Sequence, residues 1–167
     1  QFTYGKRIKA GSMASQDAGE PFFAGKNKGG YDYVSPYFLM RDCGKLKALA
    51  LGRYRLRFGM GIVMNSSFSL GKQASISSLG RSSQGIFAHS SRQEYNYMQG
   101  AAATVEAVRH LDLTGFVSYR KIDATLNNDD NSISTILKTG YHRTISEMSR
   151  RRNASQTIAG GNVRYHN

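Results

Sequence analysis

Between positions 46 and 64 every even-numbered residue is apolar or glycine: Leu46, Ala48, Ala50, Gly52, Tyr54, Leu56, Phe58, Met60, Ile62 and Met64. Arg53, Arg55 and Arg57 stand between them. Successive side chains of a strand point to opposite faces, so a period of two specifies β-structure with an apolar stripe on one side and a row of guanidinium groups on the other. Nineteen alternating positions exceed the usual strand of a soluble sheet, about 5 to 6 residues. A strand that crosses a membrane needs about 9 to 11. The pattern therefore predicts a membrane-crossing strand, its apolar stripe toward lipid and its arginines toward a lumen.

The rest of the chain extends one strand into an architecture. Phe2, Tyr4, Ile8 and Ala10 alternate with Thr3, Gly5, Arg7, Lys9 and Gly11, which predicts a first strand over 2–16 interrupted at Lys6. Positions 17–30 are rich in Gly, Lys and Pro and predict a loop. A second strand is expected over 31–42, with Tyr31, Tyr33, Tyr37 and Leu39 on one face. Cys43 and Gly44 suit a two-residue hairpin turn. If Asp42 opposes Lys45, Leu39 faces Ala48, Tyr37 faces Ala50 and Tyr33 faces Tyr54, while Asp32 meets Arg55. Both apolar stripes then share a side, which a one-residue slip would undo.

A long serine-rich stretch over 65–100 leads to a second hairpin, 101–108 and 111–126, around Arg109 and His110. There Ala103, Val105 and Ala107 share a face with Leu111, Leu113, Val117 and Tyr119; Thr104, Glu106, Asp112, Thr114, Ser118 and Arg120 take the other. A third long stretch, 127–154, precedes a glycine-broken strand over 155–166. Within it Thr144 and Glu147 match a capping box, and Arg150, Arg151 and Arg152 would close that short helix. Connections thus run long, short, long, short, long. Transmembrane barrels alternate in this way, whereas compact soluble domains typically use connections of about 4 to 6 residues.

The expected fold is all-β, an antiparallel up-and-down meander. It is one partial outer-membrane β-barrel domain over 1–167 with about six long strands and its long loops on one side. Single-chain barrels begin at about eight strands, so a fragment of a larger chain is expected, in keeping with Gln1 at the start and a strand still running near Asn167. No apolar run approaches the about 18 residues of a helical span, and the mean hydropathy of −0.47 suits alternating strands. Two prolines, 18 glycines and ten tyrosines suit an all-β chain, and the absence of tryptophan leaves any aromatic girdle to Tyr and Phe.

The segments DAGEPFFAGKNKGGYDYVSPYFLMRD at 17–42, GKLKALALGRYRLRFGMG at 44–61, QGAAATVEAVRHLDLTGF at 99–116 and GYHRTISEMSRRRNASQTIAGG at 140–161 carry a family resemblance. The chain resembles the barrel portion of Gram-negative outer-membrane proteins in which the barrel follows N-terminal competence-type helix-hairpin-helix repeats. The resemblance implies an outer-membrane location, with DNA binding assigned to repeats that this chain does not contain. No binding residue is therefore carried onto positions here. Arg53 stands where members tend to have a neutral or acidic residue.

Charge and chemistry sharpen the picture only a little. Lys and Arg number 23 against 11 Asp and Glu, a net charge of +12, which invites a phosphate-bearing partner. Arg53, Arg55 and Arg57, spaced about 7 Å apart along a strand, are the candidate anion or nucleic-acid contacts. Carboxylates such as Asp32 are the competing partners. Lys26 and Lys28 suit anionic headgroups. Interleaved aromatics, which single-stranded nucleic acid favours, fall on the opposite face. No catalytic residue, cofactor or metal site is expected: His89, His110, His142 and His166 are scattered, and no GxSxG elbow is present. The acidic run 127–132 lacks the glycine and distal Glu of an EF-hand loop. Cys43 reads as a turn residue, and the NSS and NAS triplets at Asn65 and Asn153 as chance matches. The function expected is non-enzymatic, structural or transport class, with a basic lumen face. Its partners would be outer-membrane lipid, lipopolysaccharide and the remaining strands of the barrel. The alternative is part of a DNA-binding or DNA-uptake protein, and a soluble nucleic-acid or glycan module comes third.

Overall fold

The computed structural model describes residues 1–15, 33–66, 83–91, 96–127, 132–137, 144 and 149–166. They form β1 (Phe2–Tyr4), β2 (Ile8–Ser15), β3 (Tyr33–Cys43), β4 (Leu46–Phe58), β5 (Met64–Asn65), β6 (Gly85–Ala88), β7 (Met98–Val108), β8 (Leu111–Ile122), β9 (Ala124–Leu126), β10 (Ile133–Ile136) and β11 (Ala154–Tyr165). The main sheet runs β1-β2-β3-β4-β7-β8-β11, every pairing antiparallel, so six long strands and the short β1 make an up-and-down meander. The sheet is open and matches an incomplete barrel. The tight turns at Gly44 and His110 lie at one end, and the long connections leave from the other.

Several strand boundaries differ from the sequence expectation. The first strand is a hairpin, because Gly5 at φ +53 reverses the chain and pairs Phe2 with Ala10. Lys6, which interrupted the alternation, sits in its turn. The β3/β4 hairpin places Leu39 opposite Ala50 and Tyr37 opposite Gly52, two residues from the expected register. A shift of two leaves every side chain on its own face. Gly44 and Lys45, rather than Cys43 and Gly44, make the turn. The expected nineteen-residue strand ends at Phe58, where Gly59 (φ +58), Met60 (φ +56) and Gly61 (φ +83) form a 3-10 turn. Small strands interrupt the second and third long stretches: β5 and β6 pair with β4, and β10 pairs with β9.

The decisive feature is a fold within β4. Its pairing with β3 stops at Gly52; beyond it Tyr54, Arg55, Leu56 and Arg57 pair with Ala88, Phe87, Ile86 and Gly85 of β6. Phe58 nevertheless stacks on Phe116 at 6.4 Å between ring centres, and Phe116 lies opposite Ala102, which lies opposite Ala50. In a straight strand Phe58 would sit roughly 27 Å beyond Ala50 at about 3.4 Å per residue. Arg41, paired with Ala48, reaches the Ile86 carbonyl at 2.9 Å although Ile86 pairs with Leu56. Both contacts require β4 to turn back after Gly52 and lay its second half over the sheet, and the start of β7 turns with it, because Arg53 and Tyr54 still pair with Gln99 and Met98. Gly52 permits the corner: its φ is +83, and a Cβ there would stand 2.6 Å from the Pro36 carbonyl oxygen.

The core lies between the layers. Tyr37, Leu39, Ala48, Ala50 and Ala102 from the main sheet meet Tyr54, Leu56, Phe58, Ile86 and Ala88 from the folded-back layer. Tyr54 and Leu56 are wholly buried, and the Tyr54 hydroxyl donates toward the carbonyls of Ala101 and Val117, at 3.1 and 2.7 Å. The even stripe of β4 thus packs inward, and its expected lipid-facing role is corrected. Bending a strand at Gly52 keeps even positions on the inside of both halves, so one stripe serves both walls of the core.

Replacing Gly52 by Ala should cost about 1 to 3 kcal/mol, the usual penalty for a side chain forced into a disfavoured backbone region, with the Pro36 contact adding to it. Gly115→Ala, whose Cβ meets nothing within 4 Å, should stay within about 0.5 kcal/mol. Urea titrations of the two variants check this, and equal costs would contradict the corner.

Candidate functional site

Two surfaces follow from the fold. The first is the outer face of the main sheet. Register places on that face Phe2 and Tyr4 of β1, Ile8 and Ala10 of β2, Val34, Phe38 and Met40 of β3, and Leu49 and Leu51 of β4. Ala101, Ala103 and Val105 of β7, Leu113, Val117 and Tyr119 of β8, and Val163 and Tyr165 of β11 continue it. Much of it is uncovered: Val117 is 50 % exposed, Val163 67 % and Tyr165 72 %. From Leu111 to Tyr119 the face spans about 27 Å along the strand at roughly 3.4 Å per residue, before any tilt. Tyrosines stand at both margins, Tyr4 and Tyr165 toward the tight turns and Tyr119 toward the long connections. Charges gather beyond it, including the Lys47–Glu106 ion pair at 3.0 Å beside the turns and Lys121 near the other end. The β7/β8 outer stripe is the one expected from the sequence. Its counterpart on β4 is Leu49 and Leu51, not the even-numbered residues.

The second surface is the far side of the folded-back layer, where Arg53, Arg55 and Arg57 point away from the core. They share a face as the alternation required, but their environments differ. Arg53 is buried to 8 % exposure, its guanidinium 4.4 Å from the Tyr97 ring centre. Arg120 approaches the same ring at 4.9 Å and donates through Nε to Gln156 Oε1 at 3.0 Å. His89, wholly buried, tilts against Tyr97 at 5.3 Å. Arg55 and Arg57 are half-buried, each with a buried Nε that has no hydrogen-bond partner among the described residues. The expected opposition of Asp32 and Arg55 does not arise from the ladder, because Arg55 pairs with Phe87; Asp32 itself lies outside the described residues.

Tyr97 was missed because it falls in the stretch read as loop. His110 and His166, far apart in sequence, meet at 5.8 Å between rings, with Asp112 Oδ2 at 3.7 Å from His166 Nδ1. Among the described residues no three His, Cys, Asp or Glu side chains form a possible metal set, and no helix is long and apolar enough to cross a membrane. The side chain of Asn153 is engaged by the backbone N–H and carbonyl of Ala124. Tyr31, Lys26, Lys28, Glu147, His142 and positions 128–131 lie outside the described residues.

No family model, curated protein or solved structure matches this chain.

The Arg53–Tyr97 contact is measurable. A double-mutant cycle of Arg53→Met and Tyr97→Leu should return a coupling of about 1 kcal/mol, the range of a partly desolvated cation–π pair. A coupling near zero would contradict the packing.

Proposed function

We propose that the chain is a segment of an outer-membrane β-barrel of structural or transport class, acting without enzymatic chemistry. In this reading the main sheet is barrel wall and the folded-back β4, β5 and β6 layer is an inward plug that fills part of the lumen. The observation that carries it is the continuous apolar outer face over seven strands, uncovered in a chain that already has a separate core. Soluble monomers rarely expose contiguous apolar patches beyond a few hundred Å². A lipid-facing band about 25 Å tall with aromatic margins has the extent and edges seen here. The tight turns at one end and long connections at the other support it, as does the family resemblance. Lipid and lipopolysaccharide are then the partners of the outer face, and further strands of the parent barrel those of the β1 and β11 edges. The helix-hairpin-helix family's link to DNA rests on repeats outside this chain, and the burial of Arg53 on Tyr97 takes one of three arginines away from a DNA contact.

Val117→Arg is the direct test. Refolded into lipid vesicles, it should lose about 2 to 4 kcal/mol if the site lies near the bilayer midplane. On a water-exposed face the loss should stay within about 0.5 kcal/mol, and that result would overturn the reading.

Sidedness gives a second test in cells producing the parent protein. With Cys43 replaced by Ser, a cysteine at Ser149 should react with an impermeant thiol reagent on intact cells. The native Cys43, exposed in its turn region, should react only once the outer membrane is opened. Labelling of Cys43 on intact cells would contradict the assigned orientation.

A further inference from the structure

Where the folded-back layer meets the first hairpin, a cavity of about 350 Å³ opens between them. Five cationic residues from four parts of the chain line it: Lys6 and Arg7 of the β1–β2 turn, Lys9 of β2, Arg41 of β3, and Arg55 of the folded-back half of β4. No Asp or Glu is among the described residues that line it. Specific contacts hold Arg41 and the turn at Arg7 in this cationic space. The Arg41 backbone N–H donates to the Arg7 carbonyl at 2.7 Å, fixing the turn against β3. The Arg41 guanidinium donates to the Ile86 carbonyl and lies 5.4 Å from the Phe87 ring centre. That bond uses one of its five N–H donors. Arg55 brings a buried Nε without a hydrogen-bond partner among the described residues.

We infer that this cavity is a binding site for a compact oligophosphate, a ligand bearing two or more linked or adjacent phosphoryl groups. Guanidinium forks match phosphate oxygens two at a time, and ammonium groups add charge without fixed geometry. A multiply charged anion offers oxygens to several of these cations at once, whereas a single carboxylate reaches only one or two of them. The size agrees, because the volume lies near the lower end of the roughly 300 to 1,000 Å³ of ligand pockets, too small for a nucleic-acid helix. Phe87 supplies an apolar wall that keeps Arg41 flat and oriented. The site depends on the corner at Gly52, which carries Arg55 back to the level of Arg41. It does not depend on what covers the outer face.

The same chemistry is offered by a soluble oligophosphate and by a diphosphorylated lipid headgroup, so both are titrated. The full 167-residue chain, refolded in a zwitterionic detergent, is titrated calorimetrically with inorganic tripolyphosphate and, separately, with a short-chain diphosphorylated glycolipid. Saturable binding at one site per chain is expected for at least one probe, and the tighter one identifies the source. Arg55→Gln and Lys9→Gln should each weaken it about tenfold, the loss expected for one charge-assisted contact. Arg164→Gln, on a strand outside the cavity, should leave it unchanged. Lys9 makes no ion pair among the described residues and its ammonium lies 6.0 Å from the Tyr37 ring centre, so Lys9→Gln is read only if the variant keeps the parent's circular dichroism spectrum, which guards against loss of fold. The inference is overturned if neither probe binds saturably, or if Arg55→Gln and Lys9→Gln bind as the parent does. It is overturned equally if Arg164→Gln weakens binding as much as they do, the signature of diffuse charge attraction.

Discussion

The turn of β4 at Gly52 is the constraint on which the remaining structure depends. Only a residue without a side chain tolerates both φ +83 and a carbonyl oxygen 2.6 Å from where a Cβ would stand. Once the strand turns there, its second half becomes a lid over the inner face of its own sheet. Tyr54, Leu56 and Phe58 then bury against Ala50, Ala102 and Phe116. The Tyr54 hydroxyl pins the lid to β7 and β8 through the Ala101 and Val117 carbonyls. The same turn moves Arg53 onto Tyr97 and brings Arg55 into one cavity with Arg41, so core, arginine face and cationic cavity share one origin.

This arrangement separates two apolar surfaces that a single stripe would confuse. One is internal and filled by the lid. The other is external, built from the opposite side chains of every main strand, and remains uncovered. A strand with one buried face usually alternates apolar with polar residues. Here β4 carries Leu49 and Leu51 outward as well as Ala48 and Ala50 inward. Apolar side chains on both faces of the wall follow if one side meets a packed interior and the other meets lipid.

The sequence made the meander legible because its signals are local. Alternation placed the long strands, Gly44 and His110 marked the tight turns, and parity kept the β3 and β4 stripes together despite a register two residues off. The corner stayed hidden for a physical reason: bending preserves parity, so positions 46 to 64 read as one uninterrupted strand. Leu49 and Leu51 were the available clue, since arginines occupy the alternate positions only after Gly52. The pattern therefore changes at the residue where the backbone turns. The arginine ladder was readable as a shared face, but its partners were not. Tyr97 and Arg120 reach it through tertiary packing, and Arg41 lines one cavity with Arg55 only because the chain doubles back.

Accessibility of spin labels in lipid vesicles tests the central claim most directly, because oxygen partitions into hydrocarbon and a nickel chelate stays in water. With labels placed singly at Leu51, Leu113, Val117 and Leu56, the account predicts strong oxygen relaxation and weak nickel relaxation at the first three. At Leu56, inside the core, both should be weak. Strong oxygen relaxation at Leu56 together with strong nickel relaxation at Val117 would contradict it, reversing the two faces of the sheet.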